Sequence, residues 1–193
     1  NVIMPFLYEG RQHKRSKRES LDCALALQEL TRMGVSNIIT FDAHDPRVQN
    51  AIPLSGFESI MPTYQMLKAM CHTYDDLRID KHHMMVISPD EGALNRNIYY
   101  SSAMGVDMGM FYKRRDYTRV VNGRNPIVAH EYLGDSVEGK DVFVADDIIA
   151  SGDSILDLAY NLKNRKAKRV FAGATFAFFT SGLEAFDKAY ADG

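Results

Sequence analysis

Short apolar runs alternate with amphipathic stretches along most of the 193-residue chain. That alternation predicts an α/β protein built on mainly parallel sheets flanked by helices. Strand-like runs are read at Val2–Phe6, Asn37–Phe41, Met84–Ile87, Val142–Ala145 and Val170–Phe178, with a short strand at Met108–Tyr112 and an edge strand at Pro126–Leu133. Helices are predicted at Leu21–Met33, closed by Gly34, and at Ile60–Cys71, with Pro62 in the first turn. Three more are predicted, at Ala93–Met104, from Ser154 to Arg165, and at Leu183–Tyr190. Pro46–Gly56 reads as a loop with a helical turn, and Lys113–Arg124 as a polar, basic loop. No internal repeat, low-complexity tract or Ser/Gly linker stands out.

Composition narrows the field only a little. Hydrophobic residues make up 46% and charged residues 25%, as in ordinary globular proteins. A net charge of −2 gives no bulk attraction to nucleic acid or an anionic membrane, and no apolar run approaches the roughly 18 residues of a membrane span. Neither kind of partner is expected. Cys23 and Cys71 sit in helix-like surroundings without metal-ligand spacing and are expected to be reduced core thiols of a cytoplasmic protein.

The chemistry concentrates in Val142–Ser154, VFVADDIIASGDS. An apolar strand runs into two adjacent carboxylates, Asp146 and Asp147, and then into Ser151-Gly152-Asp153-Ser154 and a helical pattern. Gly152 permits a tight turn, so that amide N–H groups can converge on a phosphate at the helix N-terminus. Ser151 and Ser154 add hydroxyl donors, and the two carboxylates can accept hydrogen bonds from vicinal ribose hydroxyls. A capped helix after a buried strand is the plainer reading, but adjacent carboxylates repel and need a use. A ribose-phosphate site is therefore expected here.

Three further strand ends carry unusual residues, and open α/β sheets bind ligands beyond the carboxyl ends of their strands. The strand at 2–6 leads into Arg11-Gln12-His13-Lys14-Arg15, the strand at 37–41 into Asp42 and His44, and the strand at 84–87 into Ser88-Pro89-Asp90-Glu91-Gly92. Cationic loops with carboxylate and imidazole ends describe a site for a polyphosphate and a divalent cation, and Mg²⁺ takes only one or two protein ligands beside phosphate and water. Each piece has a modest alternative: a solvated charge run, a satisfied histidine, a helix cap. His82-His83 lacks helical ligand spacing and is left as surface. The loop beginning Tyr112-Lys113-Arg114-Arg115 is either ordinary surface or a cationic flap for phosphoryl transfer.

Together these segments resemble ribose-phosphate diphosphokinase, also called phosphoribosyl pyrophosphate synthetase, along nearly the whole chain. Met4-Pro5 with Arg11-Gln12 is similar to that family's ATP-binding segment, and Thr40-x-Asp42-x-His44 to the strand end where His meets ATP phosphates and Mg²⁺. Ser88-Pro89-Asp90-x-Gly92 resembles a second Mg²⁺ segment, and Lys113-Arg114-Arg115 the catalytic flexible loop. Gly134-Asp135-x-Val137-x-Gly139 leads, as in the family, into the ribose-5-phosphate loop. The resemblance implies Lys113 and Arg115 as catalytic cations, Arg11, Gln12 and His44 as ATP-binding residues, and His44 and Asp90 as Mg²⁺ ligands. It implies Asp146, Asp147, Ser151, Gly152, Asp153 and Ser154 as the ribose-5-phosphate site. The implied reaction transfers the β,γ-diphosphoryl group of ATP to the C1 hydroxyl of ribose 5-phosphate, giving phosphoribosyl diphosphate and AMP.

The same resemblance implies two phosphoribosyltransferase-like lobes with the active site between them, and a homo-oligomer, a hexamer built of dimers. Residues 1–60 would be the latter part of an N-terminally truncated first lobe, and residues 61–193 the second. The chain starts inside a strand-like run without Met and stops just after a helical pattern, so it is expected to be a fragment without full activity. Departures mark a divergent branch. His13 stands where the family usually has Asp, Ala150 replaces an Asp, Ser151 and Ser154 replace Thr, and Phe176 falls where many members carry His. Asp153 sets a negative charge beside a phosphate site, which is unfavourable unless its side chain points away. The alternatives are a non-catalytic synthetase-like regulatory subunit and a phosphoribosyltransferase. The first is expected to lose the loop cations, and the second has no need of Arg11-Gln12 or Lys113–Arg115.

Overall fold

The computed structural model describes residues 1–15, 17–115 and 127–193, with backbone alone at 113–115 and 127–130. The chain divides into two compact units, residues 1–67 and 68–193, each with its own sheet and core. Among the described residues no helix is long and apolar enough to cross a membrane.

The first unit carries a three-stranded parallel sheet in the order β1 (Val2–Ile3), β2 (Asn37–Phe41), β3 (Gly56–Ile60). Its core forms where the apolar stripe of α1 (Asp22–Arg32), with Cys23 and Leu27 fully buried, meets Ile38 of β2, Leu7, Ala43, Val48 and Ile52. A 3₁₀ turn, Pro46–Ala51, starts at Asp45, whose side chain accepts from the Arg47 N–H. The strand β3 corrects the expected layout, in which Gly56 ended a loop and a helix began at Ile60. GFESI has no apolar run to mark it, and it becomes a strand because β2 supplies its ladder from Asn37↔Gly56 to Phe41↔Ile60. The helix α2 begins three residues later than expected, at Thr63, and runs to Thr73. Cys71 on α2 is exposed and is not a core thiol. Burial, with repulsion from Glu9, pushes the Cys23 thiol up to about 11, so it stays protonated and inert.

The second unit is a five-stranded sheet in the order β6-β5-β4-β7-β8, parallel except for β5 against β6. In chain order it runs β4 (Met84–Ser88), α3 (Leu94–Met104), β5 (Asp107–Arg115), β6 (Ile127–Leu133), β7 (Asp141–Ile149), α4 (Asp153–Asn164), β8 (Arg169–Ala177), α5 (Glu184–Ala191). The central strands are buried on both faces, as near-continuous apolar runs require. Met85, Ile87, Val142 and Val144 pack with Ile155, Leu158 and Leu162 of α4. On the alternate positions, Phe143 meets the ring of Tyr100 from α3, 5.1 Å between centroids. Lys113–Arg115, expected in a loop, are strand residues paired with His130, Ala129 and Ile127 of the edge strand β6; the rest of the expected 113–124 loop lies outside the described residues.

This topology fixes where a ligand can sit. From β4 the chain crosses through α3 to β5 on one side, and from β7 through α4 to β8 on the other. The sheet therefore reverses its winding between β4 and β7, and the crevice at such a switch point is where open α/β sheets bind ligands. Pairing of β4 with β7 runs from Met84↔Asp141 only to Val86↔Phe143, whereas β4 stays paired with β5 to Ser88↔Met110, and β7 with β8 to Ile149↔Ala177. The two central strands part toward their carboxyl ends. At the other end of the sheet the Asp141 N–H donates to the His83 carbonyl just ahead of β4 at 2.8 Å, and buried Asp141 takes a bidentate pair from Arg169 of β8, 2.8 and 2.7 Å, while Arg169 also reaches Asp76 at 2.9 Å.

Candidate functional site

The carboxylates Asp146 and Asp147 lie within β7, not after it, because the ladder with β8 carries the strand to Ile149. Asp147 is buried and Asp146 half-buried. One guanidinium serves both: Arg96 of α3 stands 3.8 Å from the Asp146 Oδ1 and 3.8 Å from the Asp147 Oδ1, with only 8% of its own side chain exposed. Asp146 Oδ1 also accepts from the Asp147 backbone N–H at 2.9 Å. Burial first, then a side-chain hydrogen bond and repulsion from the Asp147 carboxyl, push the Asp146 carboxyl up to about 7, against the Asp147 N–H and the pull of Arg96. Near neutral pH Asp146 is accordingly partly protonated. This is a group of oxygen donors and one cation poised at the mouth of the switch-point crevice. Sequence reasoning missed Arg96. Its only signal was its place on the helix that follows Ser88-Pro89-Asp90.

That segment is built as a helix start. Buried Ser88 donates through Oγ to the Asp90 carbonyl at 2.8 Å, and Asp90 Oδ1 accepts from the N–H groups of Gly92 and Ala93 at 2.9 and 3.1 Å. One Asp90 carboxylate oxygen thus holds the turn leading into α3, whose N-cap is Ala93 without a side-chain cap bond. Two N–H donors fix the carboxylate at the carboxyl end of β4, in the same crevice.

Beyond β7, Ala150–Gly152 turn into α4. Gly152 has φ of +95°, where a side chain is strained, and its Cα faces the ring of Phe186 from α5, which an added Cβ would strike. Another residue here would have to displace the Phe186 ring and accept a strained backbone. At the first turn of α4, Ser151 Oγ donates to Asp153 Oδ2 at 2.9 Å and accepts from the Asp153 N–H at 3.4 Å. Asp153 and Ser154 are exposed and Ser151 half-buried. The first-turn amides of a 12-residue helix and two hydroxyls are thus gathered together, with the Asp153 N–H and carboxylate both folded back onto Ser151.

In the first unit, Asp42 ends β2 in the left-handed region, φ +40°, with its N–H on the Ile60 carbonyl at 3.0 Å. This reversal carries exposed His44 beyond the strand end. The His13 and His44 rings lie 5.2 Å apart, and His13 Nε2 is 3.5 Å from Asp45 Oδ2. The Arg47 guanidinium grips Asp45 and holds its carboxyl down to about 2. Gln12 donates to the Ser20 carbonyl at 3.1 Å, while Arg11 is exposed. Arg11, Gln12, His13 and His44 therefore share one unit, and Asp90, Asp146, Asp147 and Ser151–Ser154 share the other. Lys113 and Arg115 are strand residues of the second unit whose side chains lie outside the described residues.

Among the described residues no three His, Cys, Asp or Glu gather into a metal-ligating group. Among the described residues the side chains at the carboxyl ends of β4 and β7 are oxygen donors, without sulfur or imidazole, a set that suits a hydrated Mg²⁺ better than a softer metal.

The model of the phosphoribosyl transferase domain matches residues 59–185, well over half of the chain, and the chain belongs to that family. Within it, the chain is similar to ribose-phosphate pyrophosphokinases. It is 32% identical over 182 residues to that of Vibrio parahaemolyticus and 29% identical over 182 residues to that of Aquifex aeolicus, covering 93% of this chain and 54% of the relative in each case. Its fold matches that of phosphoribosylpyrophosphate synthetase from Mycobacterium smegmatis with a TM-score of 0.74 and 24% identity, over 91% of this chain and 53% of that one. The chain spans about half the length of the curated relatives it matches. The resemblance to the ribose-phosphate diphosphokinase family is borne out, as is the α/β class with mostly parallel sheets.

Proposed function

We propose that this chain serves diphosphoryl transfer from ATP to the C1 hydroxyl of ribose 5-phosphate, yielding phosphoribosyl diphosphate and AMP. The observation that carries the reading is the carboxylate pair Asp146–Asp147, braced by Arg96, directly ahead of the Ser151–Ser154 turn. A phosphate needs only the turn, whereas a ribose phosphate uses both. The likeness to ribose-phosphate pyrophosphokinases supports the same reaction.

In this reading the C1 oxygen forms a bond to the β-phosphorus, the bond from the β-phosphorus to the α,β-bridging oxygen breaks, AMP leaves, and the hydroxyl proton passes to solvent. Little covalent help is needed, chiefly positioning and charge neutralisation. Asp146 and Asp147 accept hydrogen bonds from the ribose 2- and 3-hydroxyls, with Arg96 preventing their mutual repulsion from opening the site. Amides and hydroxyls from Ser151 to Ser154 take the 5-phosphate, which displaces the Asp153 carboxylate from Ser151. Arg11, Gln12 and His44 are assigned to the nucleotide, and Lys113 and Arg115 to the spreading charge on the transferred group. Mg²⁺, with Asp90 as a protein ligand, would neutralise phosphate oxygens.

The test is AMP formation from ATP and ribose 5-phosphate by the full-length protein, wild type against Lys113→Ala. A loss of roughly 10²-fold or more in kcat is expected if Lys113 stabilises the transition state. Unchanged turnover removes that assignment, and pyrophosphate release with a purine or pyrimidine base in place of AMP release indicates a phosphoribosyltransferase instead.

A further inference from the structure

We propose that Asn97 is a positioning residue: its side-chain amide stands in for a strand partner where β4 and β7 part, and so holds Asp146 and Asp147 against Arg96. The inference rests on the reading of that pair as the ribose-phosphate site.

The pairing of β4 with β7 ends at Val86↔Phe143. Continued in the same register it would bring Ala145 opposite Ser88, but the ladder stops short of that pair, while Ser88 keeps its partner in β5 on the other edge of β4. The backbone groups of Ala145 on that side are satisfied by Asn97, which is wholly buried. Its Nδ2 donates to the Ala145 carbonyl at 2.9 Å, and its Oδ1 accepts from the Ala145 N–H at 3.0 Å. A second hydrogen on Nδ2 goes to the Ala93 carbonyl at 2.9 Å, so all the amide's hydrogens are used. The geometry is that of two strands exchanging a donor and an acceptor, with a carboxamide in place of one strand.

A buried, satisfied amide could be core filling and nothing more. Three features point further. Asn is a poor residue for a helix interior, yet it stands in the first turns of α3 at a fully buried site. An aliphatic side chain there would orphan both groups of Ala145. And Ala145 immediately precedes Asp146, while Asn97 immediately follows Arg96. One helix turn thus fixes both the backbone that bears the carboxylates and the cation that faces them. The carboxamide wedge lets the strands stay apart, leaving the crevice open, without letting the carboxylates drift.

The test uses the full-length protein with Asn97→Ala and the near-isosteric Asn97→Asp, and reads three quantities: hydrogen exchange of the Ala145 amide, the carboxyl titration of Asp146 by carbon NMR, and KM for each substrate. In Asn97→Ala, exchange at Ala145 rises about tenfold or more as its bond is lost. The Asp146 titration moves down toward the ordinary carboxylate range, because the two acids separate. KM for ribose 5-phosphate rises about tenfold, while KM for ATP stays as in wild type. Asn97→Asp keeps the shape and the acceptor, so Ala145 stays protected, but loss of donors to the two carbonyls still raises KM for ribose 5-phosphate; this variant carries the test if Asn97→Ala does not fold. Faster Ala145 exchange with an unmoved Asp146 titration and unchanged KM values makes Asn97 a core amide only and overturns the proposal. If the wild type turns over no ribose 5-phosphate, the proposed reaction fails, and the Asp146 titration still decides the role of Asn97: a shift upholds it and no shift removes it.

Discussion

Replacing Arg96 by Met keeps most of the side-chain volume and removes the only cation placed between Asp146 and Asp147 among the described contacts. At 3.8 Å, each attraction is worth roughly 4 kcal/mol at an effective dielectric of about 20. Desolvation of the three groups takes back much of this. Asp146, with 36% of its side chain exposed, is screened, and its share falls to about 1 kcal/mol or less. Asp147, at 6%, dominates. Breaking a buried pair by deleting one partner costs about 3–5 kcal/mol when the orphan must stay charged, but a carboxyl can instead take a proton. The sign of the pH dependence follows. Without Arg96 the pair binds its protons more tightly in the folded state, so Asp146 titrates above its present value of about 7. The variant should then lose little stability at pH 5, where a proton substitutes for the cation, and about 2–4 kcal/mol at pH 8. Urea unfolding of the full-length protein at the two pH values measures it. Equal destabilisation at pH 5 and 8 would refute the electrostatic reasoning and leave Arg96 a packing residue.

Three further outcomes are expected. Asp146 is raised from 3.8 to about 7 on folding, so between those values the unfolded chain sheds a proton the folded protein keeps, and stability falls as pH rises. Relative to wild type, Asp146→Asn should gain about 1–3 kcal/mol between pH 4 and pH 8, after a discount for partial exposure, measured by chemical denaturation at each pH, while binding of ribose 5-phosphate weakens in calorimetry. Arg169→Ala removes the bidentate partner of Asp141, of which 3% of the side chain is exposed, and leaves it the more distant Lys168 at 4.0 Å; it should cost about 2–4 kcal/mol in urea unfolding, with much of it recovered in the double variant with Asp141→Leu. Gly152→Ala, at φ +95° against Phe186, should cost about 1–3 kcal/mol and raise KM for ribose 5-phosphate; adding Phe186→Ala should relieve the steric part but not the backbone strain.

How much of this was legible depended on whether a signal was local. The helices α1 and α4 show their apolar stripes, and the buried strands β4 and β7 show apolar runs, so periodicity finds them. The segment GFESI has no such run. It is a strand because β2 lies beside it, a long-range fact that no window of a few residues contains. Lys113–Arg115 read as loop from their charge, yet β6 pairs with their backbone, and an edge hairpin tolerates charged residues. The double Asp was visible as chemistry, but its place inside β7 follows from the ladder with β8. Asp90 carried two readings, cap and ligand; its Oδ1 holds the turn at Gly92 and Ala93 that precedes α3, and the N-cap is Ala93. Arg96 and Asn97 were illegible for a different reason. Their contacts are with residues about fifty positions away, and they arise only because β4 and β7 part. On a helical pattern an Arg and an Asn read as ordinary surface, and burial alone changes their meaning.

The measurement that bears most directly on the proposed reaction follows the phosphorus itself. Full-length protein is given ribose 5-phosphate and ATP labelled separately at the α-, β- and γ-phosphorus. Diphosphoryl transfer predicts β- and γ-label together in phosphoribosyl diphosphate, α-label in AMP, and the two products in equal amounts. Label from the γ-phosphorus alone in a sugar bisphosphate, with ADP as the other product, would contradict it.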